Sequence, residues 1–177
     1  MLSSCCDYEI TFQKRASPTP TDSSTVLGES TDSRRRPEGA AQCIVTEAQG
    51  FIGIHEQGAN RGAEVEAIQA EAGVPLGSPW CQAFVLVCYG RCAVRHSMDG
   101  RAASACATLP DIPQPGDVIC LDWNGDGRIQ HSGIVEKDEG RRFVTIEGNT
   151  SDPDKVRPEG VYRKFRNKSL RHELGRW

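Results

Sequence analysis

The sequence predicts an α+β fold in which helices come first and the strands of an antiparallel sheet follow. Apolar residues recur at helical spacing from residue 41 to about residue 93 and alternate with a period of two after residue 115. The strand-like runs are short and joined by turns, which favours antiparallel pairing. Because helices and strands do not alternate along the chain, the pattern is that of an α+β protein.

Three helices are predicted in the first part of this region. The segment 41–54 places its apolar residues on one stripe, and a second helix runs from Ala63 to near Gly73. A third helix is predicted with Ser78 as its N-cap and Pro79 at its first position, and it extends to about residue 93.

Four short strands are predicted after the helices. A Pro-Gly-Asp turn at residues 115–117 precedes the first strand, and His131 opens the second. The predicted strands cover residues 118–121, 131–136, 143–147 and 161–165. They give a small sheet on which the three helices can pack.

Residues 1–40 differ from the remainder of the chain in composition. They contain twelve Ser or Thr and three Pro, and they show no apolar periodicity. We therefore predict a disordered tail over 1–40 and a folded domain over 41–177. The arginine triplet 34–36 is interpreted as a solvated charge run, and Cys5 and Cys6 receive no role.

Composition excludes several classes of function. The 21 Lys and Arg against 24 Asp and Glu give a net charge of −3, so binding to nucleic acid through a basic surface is not expected. No apolar run approaches the length of a membrane span, and the N-terminus lacks the pattern of a secretory signal. The expected protein is a monomer without a membrane span, and its localisation is left open.

The eight cysteines allow three interpretations. Disulfides need an oxidising compartment, which no export signal supports, and structural zinc needs close pairs that the spacing does not supply. The favoured interpretation is therefore buried packing plus one reactive thiol. The cysteines are Cys5, Cys6, Cys43, Cys81, Cys88, Cys92, Cys106 and Cys120.

Cys81 is the cysteine whose position predicts reactivity. With Ser78 as the cap it stands at the third helical position, where free backbone N–H groups and the helix dipole stabilise a thiolate. Cys88 and Cys92 lie deeper on the same stripe, away from this field, and are expected to pack.

A nucleophilic thiol needs a base and a group that orients the base. Of the four histidines, His131 is favoured because it opens a strand and can project from the sheet towards a packed helix. If the second and third strands pair as a hairpin, Glu147 approaches His131 and can accept a hydrogen bond from its ring. Asn149 follows two residues later and offers an amide for the same purpose.

Four blocks of sequence resemble the CHAP (cysteine, histidine-dependent amidohydrolase/peptidase) family of cell-wall hydrolases, related to NlpC-type and papain-like enzymes. The blocks are Gly77-Ser78-Pro79-Trp80-Cys81-Gln82-Ala83-Phe84-Val85, Pro115-Gly116-Asp117-Val118, His131-Ser132-Gly133-Ile134-Val135 and Glu147-Gly148-Asn149-Thr150. They occur in the family's order, and the resemblance covers about residues 41–177.

The resemblance implies a papain-like fold and a peptidoglycan hydrolase that cleaves an amide bond. It implies Cys81 as the nucleophile, His131 as the base, Glu147 as the orienting carboxylate and Asn149 as a support for Glu147. No cofactor or metal site is expected from the residues, and peptidoglycan is the partner that the resemblance implies. A papain-like enzyme would have a glutamine shortly before the nucleophile, whereas here Trp80 precedes it, so the second oxyanion donor is not assigned.

Three further side chains are candidates for substrate binding: Trp80, Gln82 and Trp123. Trp80 and Trp123 can stack on a glycan or cap the core, and the core is favoured for Trp80. The segment 122–127 has oxygen ligands spaced as in the first half of a calcium loop, but its twelfth position is Gly133 rather than Glu. A polar hairpin is therefore favoured over a calcium site.

Two alternatives to an enzyme stay open. A catalytically inactive relative would bind cell-wall peptide or a protein partner, although the complete set of Cys81, His131 and Glu147 disfavours it. A redox or metal protein would use the additional cysteines. Alkylation with iodoacetamide at acidic pH separates the first alternative from an enzyme, because an enzyme should react first at Cys81.

Overall fold

The computed structural model describes residue 36 and residues 39–106, 114–168 and 172–175, and it contains three α-helices followed by five strands. All these residues belong to the unit Ser33–Trp177. The α+β class predicted from the sequence is confirmed. The predicted tail over 1–40 lies outside the described residues apart from Arg36, Gly39 and Ala40.

The helices form the first layer of the fold. They are α1 (Ala40–Gly50), α2 (Ala63–Glu71) and α3 (Cys81–Arg91), followed by a short 3-10 helix (Ala102–Cys106). The second helix matches its prediction, but α1 ends four residues before the predicted Ile54. The chain turns there through Gly53, whose φ of 102° is open to glycine at little cost. No helix among the described residues has both the length and the apolar character that a membrane span requires.

The start of α3 differs from the prediction. Trp80 occupies the N-cap without a side-chain hydrogen bond, so Cys81 is the first helical residue rather than the third. The predicted cap Ser78 instead donates from its Oγ to the carbonyl of Pro75 at 2.6 Å. Its backbone N–H donates to the same carbonyl at 3.2 Å. This turn uses the hydroxyl that would have capped the helix, and the helix begins two residues later than predicted, at Cys81.

The strands form one antiparallel sheet in the order β4-β3-β2-β1-β5. They are β1 (Val118–Leu121), β2 (His131–Asp138), β3 (Arg142–Thr150), β4 (Gly160–Asn167) and β5 (His172–Gly175). The first four confirm the prediction with small extensions. The fifth was missed because it has only four residues in a polar stretch, and its pairing partner β1 lies about 50 residues away in sequence.

The main core lies between the helices and one face of the sheet. Its centre is α3, where Phe84, Val85 and Cys88 are fully buried and pack with sheet residues such as Ile134 and Ile146. A smaller apolar cluster is formed by Ile119, Leu121, Val135 and Phe143. Ile119 and Leu121 alternate along β1 with residues of the main core, as expected for a strand with apolar side chains on both faces.

Two disulfides correct the interpretation of the cysteines. Cys43 is bonded to Cys92, which ties α1 to the end of α3, and Cys106 is bonded to Cys120, which ties the 3-10 helix to β1. The expectation that Cys43, Cys92, Cys106 and Cys120 only pack in the core is therefore wrong, because cysteines that are distant in the sequence meet through the packing of the elements. Cys88 is free and fully buried, as predicted.

Arg36 is also placed differently from the solvated charge run that was predicted. Its guanidinium pairs with the buried carboxylate of Asp117 at the start of the sheet, and its side chain is only 7% exposed. The same guanidinium lies 5.9 Å from the ring centre of Tyr89. Since Asp117 has no exposed surface, this contact provides a counter-charge for a buried carboxylate.

Candidate active site

Cys81 combines a helix start with a free thiol. Of the described cysteines, only Cys81 and Cys88 are free, and Cys81 retains 7% exposure whereas Cys88 has none. As the first residue of α3, Cys81 lies where backbone N–H groups have no partner within the helix. The positive end of the helix dipole therefore acts on its sulfur.

His131 lies against Cys81 from the sheet. It is the first residue of β2, its side chain is 8% exposed, and its ring is hydrogen-bonded to the Cys81 sulfur. Its Nε2 lies 3.0 Å from Oε2 of Glu147, so Nδ1 is the ring nitrogen left for the thiol. The ring thus bridges a sulfur and a carboxylate, which is the arrangement of an oriented general base.

Glu147 is brought to His131 by the pairing of β2 with β3. The two strands are antiparallel, with Ile134 opposite Ile146, so the predicted hairpin is present. Gly133 leaves the space that the carboxylate needs, since a Cβ at this position would come within 2.5 Å of Cγ of Glu147. Glu147 itself is fully buried.

Two side chains that the sequence analysis did not identify hold the Glu147 carboxylate. The hydroxyl of Thr145 donates to Oε1 at 2.6 Å, and Nε of Arg166 donates to the same oxygen at 2.7 Å. Nη2 of Arg166 donates to Oε2. Because Arg166 lies on β4, nineteen residues after Glu147, no local pattern could have connected the two.

The electrostatics of the three groups favour an ion pair. Burial is the largest single influence on the Cys81 thiol and disfavours its charged form, but the hydrogen bond to His131, the charge of His131 and the hydrogen bonds to Ser132 together hold its pKa below the ordinary value. Burial is likewise outweighed at His131, where hydrogen bonds to Cys81 and Glu147 raise the pKa to about 9. Between these two pKa values the stable form is a thiolate facing an imidazolium.

Glu147 stays ionised in this setting. Burial alone would raise its pKa, but the hydrogen bonds from Arg166 and His131 lower the pKa to about 2. Cys88 shows the opposite behaviour, because burial raises the pKa of its thiol far above the usual range. The two free thiols on α3 are therefore chemically distinct, although they lie only seven residues apart.

The resemblance implied that Asn149 supports Glu147, but the contacts of its side chain lie elsewhere. Its Oδ1 accepts a hydrogen bond from the backbone N–H of Trp80 at 3.0 Å, and its Nδ2 lies 3.0 Å from both Glu56 Oε1 and Asn60 Oδ1. The residue adopts a φ of 52°, a left-handed conformation that asparagine tolerates better than most residues. Asn149 therefore fixes the turn before Cys81 rather than the carboxylate.

Trp80 and Gln82, two of the substrate-binding candidates, lie in the interior. Trp80 has no exposed surface and donates from Nε1 to Oε1 of Glu56 at 2.8 Å. Gln82 is 1% exposed, and its Oε1 accepts a hydrogen bond from the hydroxyl of Ser132 at 2.8 Å. Both side chains link α3 to its surroundings, and neither offers surface to a substrate.

Trp123 is the exposed aromatic candidate. It is 52% exposed, and its ring centre lies 5.7 Å from that of His131. The guanidinium carbon of Arg166 lies 4.6 Å from the centre of the Trp123 ring. Of the three candidates, Trp123 alone forms part of the surface next to the histidine.

A groove of about 450 Å³ opens beside Cys81. One side is formed by the connector before α3, including Val74, Pro75 and Pro79, and the other by Ile129 and Gln130. Cys81 is part of the groove lining, and the groove volume lies within the range of small-ligand sites.

The loop that resembles half a calcium site is held by its own hydrogen bonds. Asp122 accepts hydrogen bonds from the backbone N–H groups of Gly125 and Gly127, at 2.8 and 2.9 Å. Asp126 accepts one from Arg128 at 2.8 Å, and Asn124 accepts one from Gln130 at 3.0 Å. These contacts describe the polar hairpin that the sequence analysis favoured.

The helices that precede an antiparallel sheet, with a cysteine at a helix start facing a histidine on the sheet, define the papain-like class of α+β proteins. Within it, residues 73–149 match the family model described as the CHAP domain, which confirms the resemblance seen in the sequence. This stretch includes Cys81, His131 and Glu147. It supports a hydrolase whose function relates to peptidoglycan. Neither the curated proteins nor the solved structures yielded a significant match.

Proposed function

We propose that this protein is a peptidoglycan hydrolase that cleaves an amide bond through Cys81, His131 and Glu147. The bond is either the N-acetylmuramoyl–L-alanine amide or a peptide bond of the stem or cross-bridge. The observation that carries the proposal is the chain of hydrogen bonds from the Cys81 sulfur through the His131 ring to Glu147. The groove beside Cys81 and the match to the CHAP domain support the same reaction.

The first half of the reaction forms an acyl-enzyme. The Cys81 thiolate attacks the amide carbonyl carbon, and the negative charge moves to the carbonyl oxygen, which the Cys81 backbone N–H stabilises at the helix start. His131 then gives its proton to the leaving nitrogen as the carbon–nitrogen bond breaks. The amine departs, and the substrate carbonyl is left as a thioester on Cys81.

The second half returns the enzyme to its starting state. Neutral His131 takes a proton from water, whose oxygen attacks the thioester, and the carbon–sulfur bond breaks to give a carboxylic acid and the Cys81 thiolate. Glu147 stabilises the imidazolium in both halves by accepting a hydrogen bond from Nε2. The two disulfides suit a protein that acts in oxidising surroundings such as a cell wall.

The proposal is tested by clearing of a peptidoglycan suspension with single-residue variants. We expect Cys81→Ala and His131→Ala each to lower the rate by at least about a thousandfold, since each removes a member of the reacting pair. Cys88→Ala is the matched control, because it removes the other free thiol of α3 and should leave the rate close to that of the wild type.

Circular dichroism and thermal melts establish that each variant is folded before its rate is interpreted. Clearing at the wild-type rate by folded Cys81→Ala or His131→Ala would show that the assignment is wrong. Equal losses in Cys81→Ala and Cys88→Ala would show that α3 is needed for stability rather than for chemistry.

A further inference from the structure

Arg166 makes a two-pronged contact with the buried carboxylate beside His131. Its Nε donates to Oε1 of Glu147 at 2.7 Å and its Nη2 donates to Oε2, so both oxygens are engaged by one guanidinium. The Arg166 side chain is only 13% exposed. Such fork-like pairs fix the plane of a carboxylate as well as its charge.

The same guanidinium also contacts the exposed aromatic next to the site. Its Cζ lies 4.6 Å from the ring centre of Trp123, which in turn packs 5.7 Å from the ring of His131. Arg166 therefore lies between Glu147 and Trp123, the two side chains that flank His131. Arg166 is not among the residues that line the groove beside Cys81.

We propose that Arg166 is a positioning residue, which keeps Glu147 ionised and aimed at His131 and thereby sustains the Cys81–His131 ion pair. The inference rests on the roles given to Cys81 and His131 in the proposed function. It assigns to Arg166 an effect on the thiol that is transmitted through two hydrogen bonds, from Glu147 to His131 and from His131 to Cys81.

The physical reason is the burial of Glu147. The charged and titratable groups that face Glu147 are His131 from β2 and Arg166 and Lys164 from β4. Of these, Lys164 donates a hydrogen bond from Nζ to the carbonyl of Ser151 at 2.7 Å. Without Arg166, a fully buried carboxyl favours its neutral form, which stabilises an imidazolium less well. The Cys81 thiol then keeps its proton to higher pH.

The test is the rate of iodoacetamide alkylation of Cys81 as a function of pH, followed by mass spectrometry of the peptide that contains it. In Arg166→Gln we expect the pH at which the thiolate appears to rise by about one unit relative to the wild type. In Arg166→Lys, which keeps the charge but loses the fork, we expect a smaller rise.

Arg163 provides matched controls on the same strand. It also makes a two-pronged contact with a carboxylate, that of Glu136, but this pair lies away from His131 and its arginine is 44% exposed. Arg163→Gln and Arg163→Lys should therefore leave the alkylation profile of Cys81 unchanged, even if they lower the melting temperature.

The two variants of Arg166 decide the proposal together. A profile of folded Arg166→Gln that coincides with that of Arg163→Gln would overturn it. If Arg166→Gln does not fold, coincident profiles of Arg166→Lys and Arg163→Lys would overturn it in the same way. Alkylation needs no substrate, so a shift in these variants stands even if the protein fails to clear peptidoglycan, and that failure would count against the proposed function alone.

Discussion

At the scale of single residues, the chemistry depends on where a thiol lies rather than on how many there are. Cys81 and Cys88 share one helix, yet burial raises the pKa of Cys88, whereas the contact with His131 lowers that of Cys81. Cys81 was predicted to be reactive because of its position at a helix start, and the structure places it at the first residue of α3. The predicted start is two residues too early, because Ser78 forms a turn instead of a cap.

The pKa values of the pair predict how hydrolysis depends on pH. The imidazolium of His131 has a raised pKa of about 9, so the ion pair is lost as the pH rises through that value. The Cys81 thiol has a lowered pKa, so the thiolate persists below the ordinary range of a thiol and is lost as the pH falls through that lowered pKa. We therefore expect a bell-shaped profile of kcat/KM with an alkaline limb near pH 9.

This profile is measured with a soluble peptidoglycan fragment at constant ionic strength. A rate that continues to rise through pH 10 would show that a neutral His131, and not the ion pair, is the active form. Enzyme stability is monitored at each pH, so that unfolding is not taken for a titration.

At the scale of elements, the hairpin of β2 and β3 assembles the site. The sequence predicted the hairpin and the meeting of His131 with Glu147, because alternation and turns are local features. It could not predict Arg166, which reaches Glu147 from a different strand, nor the contact of Asn149 with Trp80 across 69 residues. Contacts between distant segments depend on how the helices and strands pack, and this packing cannot be predicted from the local hydrophobic pattern of a single sequence.

Gly133 provides a test of the hairpin. An alanine Cβ at this position would lie 2.5 Å from Cγ of Glu147, so the carboxylate would have to move. We expect Gly133→Ala to lower kcat/KM by about tenfold or more, because the displaced Glu147 no longer meets His131 in line. Peptidoglycan clearing and a thermal melt are measured on the same sample.

Gly90→Ala is the matched control for this substitution. Gly90 lies within α3, and an added Cβ meets nothing within 4 Å, so alanine should leave the rate unchanged and add slightly to stability. If Gly133→Ala keeps the full rate, hydrolysis does not depend on the close approach of Glu147 to residue 133, and the prediction is wrong.

At the scale of the whole molecule, two disulfides join elements that the core alone would hold less firmly. Cys43–Cys92 closes a loop with a sequence separation of 49 residues, and Cys106–Cys120 closes one of 14. The sequence shows how many cysteines the chain has but not how they pair, since pairing depends on which ends of α1, α3 and β1 meet. The longer loop restricts the unfolded chain more.

The loop lengths predict unequal losses of stability. Replacing Cys43 and Cys92 together by alanine should lower the free energy of unfolding by about 1 kcal/mol more than replacing Cys106 and Cys120 together. Chemical denaturation of the two double variants and the wild type measures the difference. A larger loss in the Cys106–Cys120 variant would indicate that native contacts of the 3-10 helix, and not loop closure, dominate.

The central claim is that Cys81 hydrolyses an amide bond of peptidoglycan, and mass spectrometry of the products formed in ¹⁸O-labelled water tests it most directly. Amide hydrolysis predicts that the wild type releases fragments with a new amino group and a new carboxyl group carrying ¹⁸O, and that Cys81→Ala releases none. Release of the same fragments by folded Cys81→Ala, or the appearance of new glycan reducing ends alone, would contradict the claim.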